Sequence, residues 1–192
     1  MSKSGRASTS KARGALLDAG VVGGALSMLA ALALFLWPGT LAGAAIAAAD
    51  FLILLGLAGL GSHLDRTGGL GAIACMLANI VATLSSVALP LVGVGPVFDL
   101  FGGLSWLADA LAYGNLARIL LFRRTDLRRD IRTVVGATTL LRGIAALMLG
   151  VFQPAQAVLG LPHLFLVHLW QVFAVVAGLA LAILFLAAKA TN

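Results

Sequence analysis

Six apolar runs, each of a length that crosses a bilayer as a helix, take up most of this chain: about 19–37, 41–61, 69–92, 96–122, 133–152 and 164–188. A spanning helix needs roughly 20 apolar residues. Open strands cannot span, because their edges stay unsatisfied in lipid, and the period-two alternation of a membrane barrel is absent. The first run is too long for the apolar core of a signal peptide. The cleavage-like Ala45-Ile46-Ala47 lies within the second run, so an uncleaved helix is expected. The runs therefore predict an all-α, polytopic transmembrane bundle of six helices in three hairpins. It occupies 15–192, behind a basic tail over 1–14 expected to be disordered and cytoplasmic. Composition agrees: 61% of the 192 residues are hydrophobic and 10% charged, and every acid is Asp, against about 25% charged residues in a soluble domain. That shortage excludes an ordinary soluble enzyme. The single Cys75 excludes an internal disulfide and thiol-pair redox chemistry.

The basic residues orient the spans. Lys3, Arg6, Lys11 and Arg13 lie in the tail and Arg66 lies between runs two and three. Arg123, Arg124, Arg128, Arg129 and Arg132 lie between runs four and five, with Lys189 after run six. The turns between runs one and two, three and four, and five and six carry neither Lys nor Arg. With six spans and both termini inside, every basic flank falls on the cytoplasmic side. The expected location is a bacterial plasma membrane. The net charge of +6 then reads as contact with lipid rather than nucleic acid. The five arginines of the 4–5 loop are expected to meet anionic headgroups. A homo-oligomer or a membrane-protein partner is left open. Gln153 to His163, with Pro154 and Pro162, is expected to form an outer interfacial loop.

Ionisable residues at midplane are costly, roughly 2.5–3.5 kcal/mol for Asp or Arg at a helix centre, so those present are informative. At 1.5 Å per residue, Asp50, Asn79 and Arg142 lie roughly 14–15 Å, and Asp109 roughly 20 Å, from the end at which each of their runs begins. All four fall near the middle of a core about 30 Å thick. Arg142 is expected to pair with one or both aspartates inside the bundle. The second acid then needs a proton, an ion or a donor, and Asn79, Tyr113 or Asn115 is placed to supply one. The cluster reads either as a pocket for an ion, proton or polar solute or as polar glue between helices.

A second polar group lies near the outer surface: Asp99 on run four and His163, His168, Trp170 and Gln171 on run six. The two histidines are five apart, which does not stack them on one helical face, and no metal site is expected. Trp170 and the histidines read as interfacial rings. Gly20-x-x-x-Gly24, Gly39-x-x-x-Gly43 and alanines spaced by four argue for closely approaching helices. G-x-S-x-G, HExxH and P-loop motifs are absent. Ser85, Ser86 and Ser105 are expected to bond back to carbonyls or to pack. Neither catalysis nor a cofactor is expected.

The stretch from Ile53-Leu54-Leu55-Gly56 to Gly68-Gly69-Leu70-Gly71-Ala72-Ile73, with the basic 4–5 loop, is similar to small bacterial six-helix membrane proteins of unknown function. Leu140-Leu141-Arg142-Gly143-Ile144 and the Leu36-Trp37-Pro38-Gly39 turn resemble the HdeD-like acid-resistance membrane proteins. Both resemblances imply a multi-pass membrane protein and hand over no catalytic residue. Two functions stay open: a non-enzymatic structural or stress-related membrane protein, and a small transporter or ion/proton pathway built on the midplane Asp/Arg group.

Overall fold

A computed structural model of the chain describes residues 3–36, 40–61, 64, 66–88, 95–123, 127–159 and 164–191. These form six helices: α1 (Lys3–Leu36), α2 (Thr40–Gly59), α3 (Arg66–Ala88), α4 (Gly95–Phe122), α5 (Arg129–Leu159) and α6 (Leu164–Ala190). No strand occurs among the described residues. Five helices contain a stretch long and apolar enough to cross a membrane: Ser10–Leu36, Leu41–Gly59, Gly69–Ala88, Arg129–Phe152 and Phe165–Ala190. The remaining helix, α4, has 28 residues, but Asp109, Asn115 and Arg118 dilute its apolarity.

Two expectations about helix ends are corrected. The basic tail is not a separate disordered segment, because α1 is helical from Lys3. Once a helix is nucleated, adding a residue gains one backbone bond, and Arg13 ties this region down by donating from Nε to the Gly59 carbonyl at 3.1 Å. That carbonyl belongs to the last turn of α2, which lacks intrahelical donors. The expected loop at 153–163 starts later than the proline suggests, since α5 runs through Pro154 to Leu159. Proline fits helical φ and removes one intrahelical bond, a loss membrane helices tolerate. Pro96 sits in the first turn of α4, where a missing N–H costs nothing.

Each helix packs on its neighbours in the chain, and α6 returns to pack on α1, so the six close into a ring. The most extensive seams are α4/α5, α1/α2 and α1/α6. Two of these join different hairpins, so the three hairpins do not act as independent units. The ring is apolar outside and carries a buried polar layer inside. Leu111 is 67% exposed and Leu70 62%, whereas Asp50 and Arg142 are 0% exposed. A soluble protein avoids a continuous apolar exterior of this kind; in hydrocarbon it is the stable arrangement.

Two apolar clusters fill the ring on either side of a polar layer. One is bulky, with Leu17, Ile53, Leu57, Met76, Leu116 and Phe185 among its members. The other is built largely of alanine: Ala30, Ala31, Ala145, Ala146 and Ala174, with Ile46, Leu149 and Trp170. The bulky cluster seals the end where α1 begins and α6 finishes. At that end Lys189 meets Asp18 at 2.5 Å, with both side chains about half exposed (46% and 54%). Exposed pairs contribute about 0–1 kcal/mol, so Lys189→Ala is expected to leave the unfolding midpoint of the purified protein nearly unchanged. The alanine cluster fills its end less completely.

Candidate functional site

Each of the six helices contributes a polar side chain to one point between these clusters. Arg142 of α5 is fully buried and lies over the Tyr113 ring, 3.5 Å from its centroid, with the Trp170 ring at 5.4 Å. It holds Asp109 with a fork, Nη2 donating to Oδ1 at 2.7 Å and Nε to Oδ2 at 3.3 Å. Its Nη1 donates to Ser27 Oγ of α1 at 3.1 Å. The Asp50 Oδ1 of α2 is 3.8 Å from Nη2. This fork geometry is specific to a planar guanidinium.

Asp109 also accepts from Trp170 Nε1 of α6 at 2.9 Å and from Asn79 Nδ2 of α3 at 3.3 Å. A carboxylate offers about four acceptor positions, and all are used. Asp50 has neutral donors: Tyr113 Oη at 2.6 Å and Asn79 Nδ2 at 2.8 Å. Asp109 and Tyr113 are four apart on α4 and so share a face. Asn79 bridges the two carboxylates through its NH₂ group. That fixes its orientation, because the flipped amide would set oxygen against oxygen. Its Oδ1 faces away from them, buried and without a partner.

With both acids ionised the cluster carries two negative charges against one positive. An uncompensated charge in hydrocarbon is costly, so the layer favours the approach of a cation. A cleft of about 250 Å³ leads to it from the alanine-rich end. Its walls include Leu34, Ile46, Trp106 and Trp170, with the Thr83, Ser86 and Ser105 hydroxyls and Asp109 at its deepest turn. Trp106 and Trp170 meet edge to face with centroids 4.8 Å apart. Asp109 is 4% exposed, while Asp50 is sealed. Among the described residues, polar access to the layer is therefore through Asp109.

The structure brings together the four residues singled out by depth, Asp50, Asn79, Asp109 and Arg142. Of the donors suggested for the second acid, Asn79 and Tyr113 fill that role. Asn115 does not: its Nδ2 points to Cys75 Sγ at 3.8 Å and its Oδ1 accepts from Arg118 at 3.1 Å. Sequence reasoning missed Ser27, although it is the one polar residue in the first apolar run, and it misplaced Trp170. That ring is 3% exposed rather than at headgroup level, because its N–H has a buried carboxylate to meet.

The outer group is only partly brought together. His168 is exposed, stacks on Phe35 with centroids 5.3 Å apart, and shares a 2.8 Å hydrogen bond between Nδ1 and Gln171 Oε1. Gln171 itself is buried. His163 and the side chain of Asp99 lie outside the described residues. No group of His, Cys or acidic residues among the described residues is placed to hold a metal ion.

At the α4/α5 junction Arg132 donates from Nη1 to the Arg123 carbonyl at 3.0 Å, and Arg128 pairs with Asp130 at 2.7 Å. Arg129 is exposed, and Arg124 lies outside the described residues. Arg129 to Arg132 form the first turn of α5. Ser85 and Ser86 donate back to the Val81 and Thr83 carbonyls at 2.8 Å each, and Ser105 Oγ lies 3.4 Å from Thr83 Oγ1. Among known proteins, no family model, no curated protein and no solved structure matches this chain.

Proposed function

We propose that this chain is a non-enzymatic, multi-pass integral membrane protein that admits a small polar solute or ion from one side to a site at the bilayer midplane, as a small transporter or an ion or proton pathway does. The observation that carries this reading is the hydroxyl-lined cleft ending at Asp109, set against the bulky apolar plug on the other side. A polar cluster serving only to join helices needs no such access. The basic flanks support a bacterial plasma membrane with both termini in the cytoplasm, which turns the cleft to the outside. The 4–5 arginines then lie at the inner leaflet, where each cation near anionic lipid contributes about 1 kcal/mol.

A structural or stress-related role is the second reading. It is favoured by the four donors on Asp109 and by the convergence of all six helices, which make the cluster a joint for the whole ring.

Cysteine accessibility tests the first reading. In a Cys75→Ser background, Ser105→Cys is expected to react with a membrane-impermeant methanethiosulfonate added outside intact cells. Ala117→Cys, fully buried on α4 two turns beyond Asp109, is expected to stay unreacted. Reaction of Ser105→Cys only in inverted vesicles would reverse the orientation. Failure to react in both would overturn the pathway reading.

A further inference from the structure

We propose that the cleft above Asp109 binds a small organic monocation, a primary alkylammonium with a short apolar body. This rests on the reading of the cleft as an open approach to the midplane, and names what it takes. Four observations converge. First, the layer beneath the cleft holds two carboxylates against one guanidinium, so its field attracts a cation and repels an anion. None of the described residues that line the cleft is basic. Second, Asn79 Oδ1 is buried without a donor, and its Nδ2 is committed to both acids. The acceptor capacity around the cluster therefore exceeds the donors it has.

Third, the lining is of two kinds. Thr83 and Ser105 present hydroxyl oxygens that can accept from an ammonium N–H, while Leu34, Ile46 and Trp106 present apolar and aromatic surface. An indole face also attracts a cation directly. Fourth, 250 Å³ holds about eight waters at ~30 Å³ each, the room an alkylammonium of a few heavy atoms needs. A bare inorganic cation asks instead for a convergent shell of oxygens. Asp109 cannot join such a shell while its acceptor positions hold four donors, and Leu34, Ile46, Trp106 and Trp170 bring no side-chain oxygen to the wall. An ammonium group needs no such vacancy, since it takes its hydrogen bonds from the hydroxyls and its charge balance from the layer as a whole.

The test uses the full-length protein in detergent with n-propylammonium chloride as probe, and n-propanol and sodium chloride as controls. Propylammonium is expected to slow modification of Ser105→Cys by an uncharged methanethiosulfonate several-fold and to raise the unfolding midpoint of the unmodified protein by a few degrees. The controls are expected to do neither. Thr83→Leu, which fills the cleft without touching a contact of Arg142, is expected to fold and to lose the midpoint shift. Modification of Ser105→Cys with no protection by propylammonium would overturn the ammonium site and leave the open cleft standing. Equal protection by sodium would overturn it in favour of an inorganic ion. Complete lack of modification would remove the cleft, and the ammonium site with it.

Discussion

Arg142→Leu is expected to cost the bundle about 3–5 kcal/mol, the range for removing one partner of a buried ion pair. The substitution leaves the Asp109 and Asp50 carboxylates at the centre of the ring with no counter-charge, strips two donors from Asp109, and leaves Ser27 Oγ and the face of Tyr113 without their partner. Arg142→Lys is expected to recover only part of the loss, since a point charge on a flexible stem cannot reproduce the fork to Asp109 while stacking on an aromatic face. The double variant Arg142→Leu with Asp109→Asn is expected to be more stable than Arg142→Leu alone. Removing a whole ion pair is far less costly than orphaning one half of it, although Asp50 remains. Reversible unfolding of the purified protein in mixed micelles measures all three. A wild-type midpoint for Arg142→Leu would show that the guanidinium is not what neutralises the layer. Equal losses in the single and double variants would show that the damage is steric.

The residues of this layer were legible in the sequence to different degrees, for geometric reasons. Depth along a helix is a count multiplied by a fixed rise, so Asp50, Asn79, Asp109 and Arg142 could be placed at one level before any helix was positioned. Direction around the ring is not encoded that way. Asn115 and Tyr113 are two residues apart on α4, and only Tyr113 faces Asp50. Trp170 was assigned to the interface because amphipathic rings belong there, and only the proximity of α6 to α4 shows that its N–H has a carboxylate to reach. The closure of α6 on α1 had no sequence marker beyond the small residues. Gly20 and Gly24, which match a dimer motif, pack inside the monomer against Gly56 of α2 and Gly178 of α6. The cleft was not legible either, because it depends on how far apart α2, α3 and α4 stand, and nothing in the sequence marks Ile46, Thr83, Ser105 and Trp106 as facing one space.

That same close approach gives the second large effect. A Cβ on Gly178 would stand 2.7 Å from the Gly24 carbonyl oxygen and 2.8 Å from Met28 N, and a Cβ on Gly24 would stand 2.6 Å from the Gly178 carbonyl oxygen. These are backbone atoms of the opposite helix, so no side-chain rotation relieves the clash and the axes of α1 and α6 must separate. Overpacking of a core ordinarily costs about 1–3 kcal/mol. Gly178→Val is expected to reach or exceed the top of that range, because the α1/α6 seam also holds two members of the polar layer in place. Ser27 lies three residues beyond Gly24, and Trp170 lies on the same helix as Gly178. Parting the helices therefore withdraws donors and acceptors from Asp109 and Arg142 as well as apolar contacts. Two readouts separate these effects: the unfolding midpoint, and the emission of Trp170, expected to shift to longer wavelength in a Trp37→Phe and Trp106→Phe background as its N–H leaves the buried carboxylate. Gly14→Ala provides the contrast on the same α1 helix, since a Cβ there meets nothing within 4 Å and alanine is favoured over glycine in a helix by up to ~1 kcal/mol. If Gly178→Val were as stable as Gly14→Ala, the ring would not need its α1/α6 seam. Ser27 and Trp170 would then have to reach the central layer by some route other than the close packing of those two helices.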